Sequence, residues 1–118
     1  MTRILHNPRC SKSRGALALL RERGEEPEIR LYLKEPLGVE ELRELCAALG
    51  VAPQEIVRPR EKRLAELGVA VSDPLGSDAW LRILAENPVL LERPIVVRGD
   101  RAVIGRPPER VLDLFDDA

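Results

Sequence analysis

The chain has 118 residues with 19 basic and 20 acidic side chains, a net charge of −1. That balance excludes the uncompensated basic surface of a general polyanion binder, so no nucleic-acid partner is expected. No apolar run is long enough for a signal peptide or a bilayer span, and two cysteines cannot staple a secreted scaffold. The expectation is a single domain over residues 1–118, monomeric, away from membranes and in the reducing cytoplasm.

Arg3-Ile4-Leu5 reads as a short buried strand. Pro8 breaks the chain behind it, and residues 11–23 carry Ala16, Leu17 and Leu20 at helical spacing up to Gly24. Glu28 to Leu33 then alternates, with Ile29, Leu31 and Leu33 on the face expected to be buried. Strand, helix and strand within about thirty residues form a βαβ unit with parallel strands and a right-handed crossover. Pro36 and Gly38 close it.

Three helices are expected next. The first, Val39 to Leu49, places Leu42, Leu45, Cys46 and Leu49 on one face; the second runs from Arg60 to Leu67. The third begins at Ser77-Asp78, contributes Trp80 to the helical core, and stops at Asn87-Pro88. Residues 94–97 and 102–104 are β-branched runs about a Gly99-Asp100 turn, a hairpin signal. A last helix follows Pro107-Pro108 and carries Val111, Leu112 and Phe115. The order β-α-β, helices, β-β-α defines an α/β architecture. It is the plan of a thioredoxin-like fold: a mixed four-stranded sheet with a helical insertion over 39–88.

The chemistry concentrates in His6-Asn7-Pro8-Arg9-Cys10-Ser11-Lys12-Ser13-Arg14. Cys10 falls on a strand-to-helix loop, at a helix N-terminus with unpaired N–H groups and partial positive charge. Arg9, Lys12 and Arg14 add full charges. Such surroundings lower a thiol from its free value of about 8.5. Cys46, on an apolar helix face, reads as a small hydrophobe. No Gly-rich nucleotide fingerprint and no metal-ligand spacing is present.

Those loop residues, together with Glu92-Arg93-Pro94-Ile95-Val96-Val97 and Gly105-Arg106-Pro107, resemble the ArsC-type arsenate reductases that use glutathione and glutaredoxin. The Asn-Pro-Arg-Cys-Ser-Lys-Ser form points to the arsenate reductase-like branch. The resemblance spans nearly the whole chain and includes Ile56-Val57-Arg58 and Glu66-Leu67-Gly68. It implies that Cys10 attacks arsenate and that Arg58, Arg93 and Arg106 bind the oxyanion, with Arg60 as the alternative to Arg58. It also implies thiolate support from His6, as an imidazolium, and from Ser13, with Arg14 as a further supporting residue. In the thioredoxin plan the Arg93-Pro94 bond is expected to be cis and to face the catalytic loop, whereas base rates by themselves favour trans.

Guanidinium groups suit a tetrahedral dianion because their planar fork binds it in a directed, multidentate way. Arg93 and Arg106 stand at neighbouring ends of two antiparallel strands and can converge. Cys10-Ser11-Lys12-Ser13 lacks a resolving thiol, so glutathione and then a glutaredoxin would supply electrons from outside, with no bound cofactor. Two alternatives fit the same build. One is a thiol-exchange or deglutathionylating enzyme without arsenate activity. The other is a non-enzymatic redox regulator of RNA polymerase, a group that typically carries Cys-x-x-Cys where Ser13 stands here.

Overall fold

The computed structural model describes residues 1–115. Its elements are β1 (Thr2–Leu5), α1 (Ser11–Glu22), β2 (Glu28–Arg30), α2 (Val39–Leu49), α3 (Lys62–Glu66), α4 (Ser77–Glu86), β3 (Ile95–Arg98) and β4 (Arg101–Ile104). Short 3-10 helices cover Pro53–Ile56, Pro88–Leu90 and Pro108–Phe115. The described residues divide into two compact units, a sheet unit of residues 1–35 and 93–115 and a helical unit of residues 36–92.

In the sheet unit the strand order is β2-β1-β3-β4. β1 runs parallel to β2 and antiparallel to β3, which pairs antiparallel with β4. This is the mixed four-stranded thioredoxin-like sheet that the sequence order predicts. Ile4 lies beside Val96 across the β1–β3 ladder, and α1 and the last 3-10 helix close over that face. The core there consists of Ile4, Ala16, Leu17, Leu20, Val96, Val111, Leu114 and Phe115. Each fully buried aliphatic chain in it contributes roughly 1.5–3 kcal/mol. Leu5 and Ile95, on the opposite face, are buried too, so the two central strands read as continuous apolar runs.

Three elements differ from the sequence reading. β2 has three residues, not six, because the Lys34 and Glu35 amides both donate to the Leu31 carbonyl and fold the chain into a turn. Alternation therefore stops after Arg30. Tyr32 is buried, whereas Leu33 is 43% exposed. Ile29 faces the core side beside Ile4, but β2 is an edge strand and covers it only partly. The last helix is 3-10, over Pro108–Phe115, with Val111, Leu114 and Phe115 inward and Leu112 outward. Three arginines hold its end: Arg101, Arg98 and Arg23 donate to the carbonyls of Asp113, Leu114 and Phe115. The second expected helix is shortened to Lys62–Glu66.

In the helical unit, α2 and α4 pack through Leu42, Leu45, Cys46, Trp80, Leu81 and Leu84, all buried. Trp80 Nε1 donates to the Asp73 carbonyl at 3.4 Å, which satisfies the polar edge of an otherwise apolar core residue. Gly50 takes a left-handed conformation (φ 72°) and ends α2, as glycine does at this position. Among the described residues no helix is long and apolar enough to cross a membrane.

Candidate active site

Asn7 organises the loop between β1 and α1. Its carbonyl accepts the Cys10 N–H at 3.0 Å, and its side-chain Oδ1 accepts the Arg9 N–H at 3.0 Å, an Asx-type turn. The Arg14 guanidinium donates to the Pro8 carbonyl at 2.9 Å and ties the loop to the first helical turn. Sequence reasoning missed Asn7. Asn preceding Pro in a chain break is a turn signal that could have found it.

Cys10 is the N-cap residue of α1, with extended backbone (φ −94°, ψ 121°). A serine or aspartate oxygen commonly accepts the N–H of the second or third helical residue from this position. No side-chain hydrogen bond of this kind caps α1, whose N-cap side chain is the Cys10 thiol. Burial pushes the thiol up, but the Ser13 N–H, the Arg93 guanidinium and the Lys12 N–H outweigh it and leave the thiol below its ordinary value. N–H groups and positive charge near a sulfur stabilise a thiolate more than a neutral thiol, so the start of α1 favours the ionised form. Cys10 is also half-buried and free. Cys46 shows the contrast: burial, with Glu55 nearby, raises its thiol.

His6 and Ser13 are both buried, and His6 Nδ1 lies 2.6 Å from Ser13 Oγ. Ser13 Oγ also accepts the Asn7 N–H at 3.0 Å. Burial lowers the His6 pKa, and Arg21 and Arg14 push it further the same way. These effects all favour the neutral imidazole over the imidazolium that the resemblance implies. Its link to the sulfur runs through Ser13, whose backbone N–H reaches Cys10. Arg14 likewise acts on the loop and is not a donor to the sulfur.

Arg93 and Arg106 flank the β3–β4 hairpin, and the strand pairing brings them together. Arg106 Nη1 donates to the Arg93 carbonyl at 3.2 Å. Both precede cis prolines, Arg93-Pro94 as the sequence plan expects and Arg106-Pro107 in addition. Arg93 Nε is buried without a hydrogen-bond partner, a donor left open beside the thiol. Gly105 fits between these segments: its N–H donates to the Pro94 carbonyl at 2.9 Å. The sheet unit thus gathers Cys10, His6, Ser13, Arg14, Arg93 and Arg106. Arg58 and Arg60 belong to the helical unit, where Arg58 Nη1 pairs with Glu61 Oε2 at 2.6 Å and Arg60 is exposed. Among the described residues no group of His, Cys, Asp or Glu side chains could hold a metal ion.

Fold and site together define a thioredoxin-like protein with one activated cysteine in a loop built to favour negative charge. The model of the ArsC family matches residues 5–114, and the chain belongs to that family of oxidoreductases. It is 48% identical over 113 residues, 95% of this chain and 94% of the relative, to YfgD of Escherichia coli K12, described as uncharacterized. It is 44% identical over 110 residues to a Neisseria meningitidis protein named arsenate reductase, covering 92% of this chain and 93% of the relative. The solved structure of arsenate reductase from Vibrio cholerae superposes with a TM-score of 0.90 at 44% identity over 95% of each chain.

Proposed function

We propose that this protein reduces arsenate to arsenite, with Cys10 as nucleophile and an external thiol as reductant. The observation that carries the reading is Cys10 at the N-terminus of α1, where the Ser13 and Lys12 N–H groups and the Arg93 guanidinium lower its thiol. A thiolate near a dianion is repelled unless positive charge lies between them. Arg93, with its open Nε, and Arg106 beside it supply that charge in directed form. The resemblance adds Arg58 as a third ligand.

In the first step the Cys10 thiolate attacks arsenic, an S–As bond forms as an As–OH bond breaks, and the leaving hydroxide takes a proton from solvent to become water. Glutathione thiolate then attacks the Cys10 sulfur. The S–S bond forms as the S–As bond breaks, and its electron pair stays on arsenic, which falls from the +5 to the +3 state as arsenite. A glutaredoxin thiol attacks the mixed disulfide and returns Cys10 as thiolate. Two thiols become one disulfide for each arsenate reduced, and the reductants suit a reducing cytoplasm. Ser13 is absent from this electron path because a hydroxyl cannot resolve a mixed disulfide. His6 and Ser13 hold the loop geometry that presents the N–H donors.

The test is arsenite production by pure protein with glutathione and glutaredoxin, lost in Cys10→Ser. No arsenite above the reductants' own background would overturn the proposal. Arg93→Ala or Arg106→Ala is expected to weaken arsenate binding by roughly 1.5–3 kcal/mol, the range for a charged hydrogen bond.

A further inference from the structure

The Cys10 loop is flanked by two cavities. The larger, about 670 Å³, is lined by Arg14, Arg21 and Glu22 with apolar residues of α1; Arg21 is already paired with Glu26 at 3.0 Å. The smaller, about 290 Å³, is lined by His6, Asn7, Pro8, Arg9, Leu31, Leu33 and Lys34. Its walls hold two cations and no acid. Among the described residues neither the Arg9 guanidinium nor the Lys34 ammonium has a side-chain partner. Leu33 is unusually exposed for its type and forms part of the apolar floor.

We propose that this smaller cavity seats the reductant: a carboxylate-bearing peptide thiol, held with its acids toward Arg9 and Lys34 while its sulfur meets Cys10. The inference rests on the external-thiol reading above and names where that thiol binds. Position favours it, because Arg9 precedes Cys10 and the Asn7 carbonyl accepts the Cys10 N–H, so the cavity wall and the sulfur share one turn. Size favours it as well. Ligand cavities start near ~300 Å³, and three extended residues span about 10 Å, enough to lie along the loop from a sulfur bonded to Cys10. Charge complementarity favours an anionic thiol over a neutral one, and the Leu31–Leu33–Pro8 surface accepts the aliphatic part of a peptide.

Such a seat makes the attacking thiol, or the disulfide that Cys10 attacks, selectable by charge. It can be read without arsenate, through the exchange reaction in which the Cys10 thiolate attacks a disulfide. There the new S–S bond to Cys10 forms, the old S–S bond breaks, and one thiolate leaves. The measured quantity is the rate constant with glutathione disulfide divided by that with neutral hydroxyethyl disulfide. Lys34→Glu is expected to lower this ratio by about three- to tenfold, and Arg9→Glu similarly. Lys62→Glu makes the same change in net charge on α3 of the helical unit and is expected to leave the ratio alone. A ratio unchanged in Lys34→Glu and Arg9→Glu would overturn the seat while leaving the external-thiol mechanism standing. An equal fall in Lys62→Glu would reduce the effect to net charge and overturn it too. An effect seen with glutaredoxin but not with glutathione disulfide would assign the surface to a protein partner and reject the peptide thiol. No reaction of Cys10 with either disulfide would overturn the external-thiol reading itself and the seat with it.

Discussion

Gly105 carries the alignment of the two arginines, and alanine there should damage both stability and the thiol. A Cβ at Gly105 would lie 2.9 Å from Pro94 Cγ and 3.1 Å from Val111 Cγ1. Neither neighbour yields easily. The Pro94 ring has no free side-chain torsion, and Val111 is fully buried with a stiff, β-branched χ1. Relief must come from moving the β3 and β4 ends apart, which carries Arg93 and Arg106 with them. Overpacking of this kind costs about 1–3 kcal/mol. At roughly 4 °C of Tm for each kcal/mol in a chain of this size, Gly105→Ala should melt about 4–12 °C lower. Because the Arg93 guanidinium helps lower the Cys10 thiol, iodoacetamide alkylation at neutral pH should slow in the same variant. Gly15→Ala supplies the opposite sign: its Cβ would meet Pro108 Cγ at an ordinary 3.4 Å within α1, where alanine gains up to about 1 kcal/mol over glycine. A Gly105→Ala protein that melts with wild type and alkylates at the wild-type rate would refute the packing argument.

Three further measurements follow from the site. The pH profile of Cys10 alkylation should have its midpoint below the ~8.5 of a free thiol, rising in Arg93→Ala and partly restored in Arg93→Lys; a wild-type midpoint at or above that value would remove the activation argument. His6 is held below its ordinary ~6.5 by burial, so the unfolded chain takes up a proton before the native one does as pH falls. Urea stability should therefore drop from pH 7 toward the lowered native pKa, by at most about 1.4 kcal/mol for each pH unit, and His6→Gln should lack that component. If His6→Gln kept the whole acid slope, the neutral buried imidazole would not be its source. Arg58→Ala separates two roles, since losing the pair with Glu61 costs about 0.2–1 kcal/mol of stability, whereas losing an oxyanion ligand raises KM for arsenate tenfold or more. A lowered Tm with unchanged KM would assign Arg58 to structure alone.

The chain's own order determined much of this. The Cys10 loop, α1, the hairpin about Gly99 and the helical run from Pro36 onward are legible because each depends on local signals: a proline break, a period of 3.6, a glycine at positive φ. The motif residues around Cys10, Arg93 and Arg106 were legible as chemistry for the same reason, since residue type and spacing carry it. What tertiary structure decided is everything that depends on which groups meet. Period-2 alternation placed Leu33 inward and Tyr32 outward; the turn on the Leu31 carbonyl reverses them. A histidine near a thiol reads as a cation from sequence, but burial and two nearby arginines favour the neutral His6 imidazole, which lies against Ser13. Spacing shows Cys10 at a helix start, whereas only the folded chain brings Arg93, some eighty positions away, onto its sulfur. Local patterns are written in neighbouring residues; protonation and convergence are set by solvent exclusion and by contacts distant in the chain, which no single stretch contains.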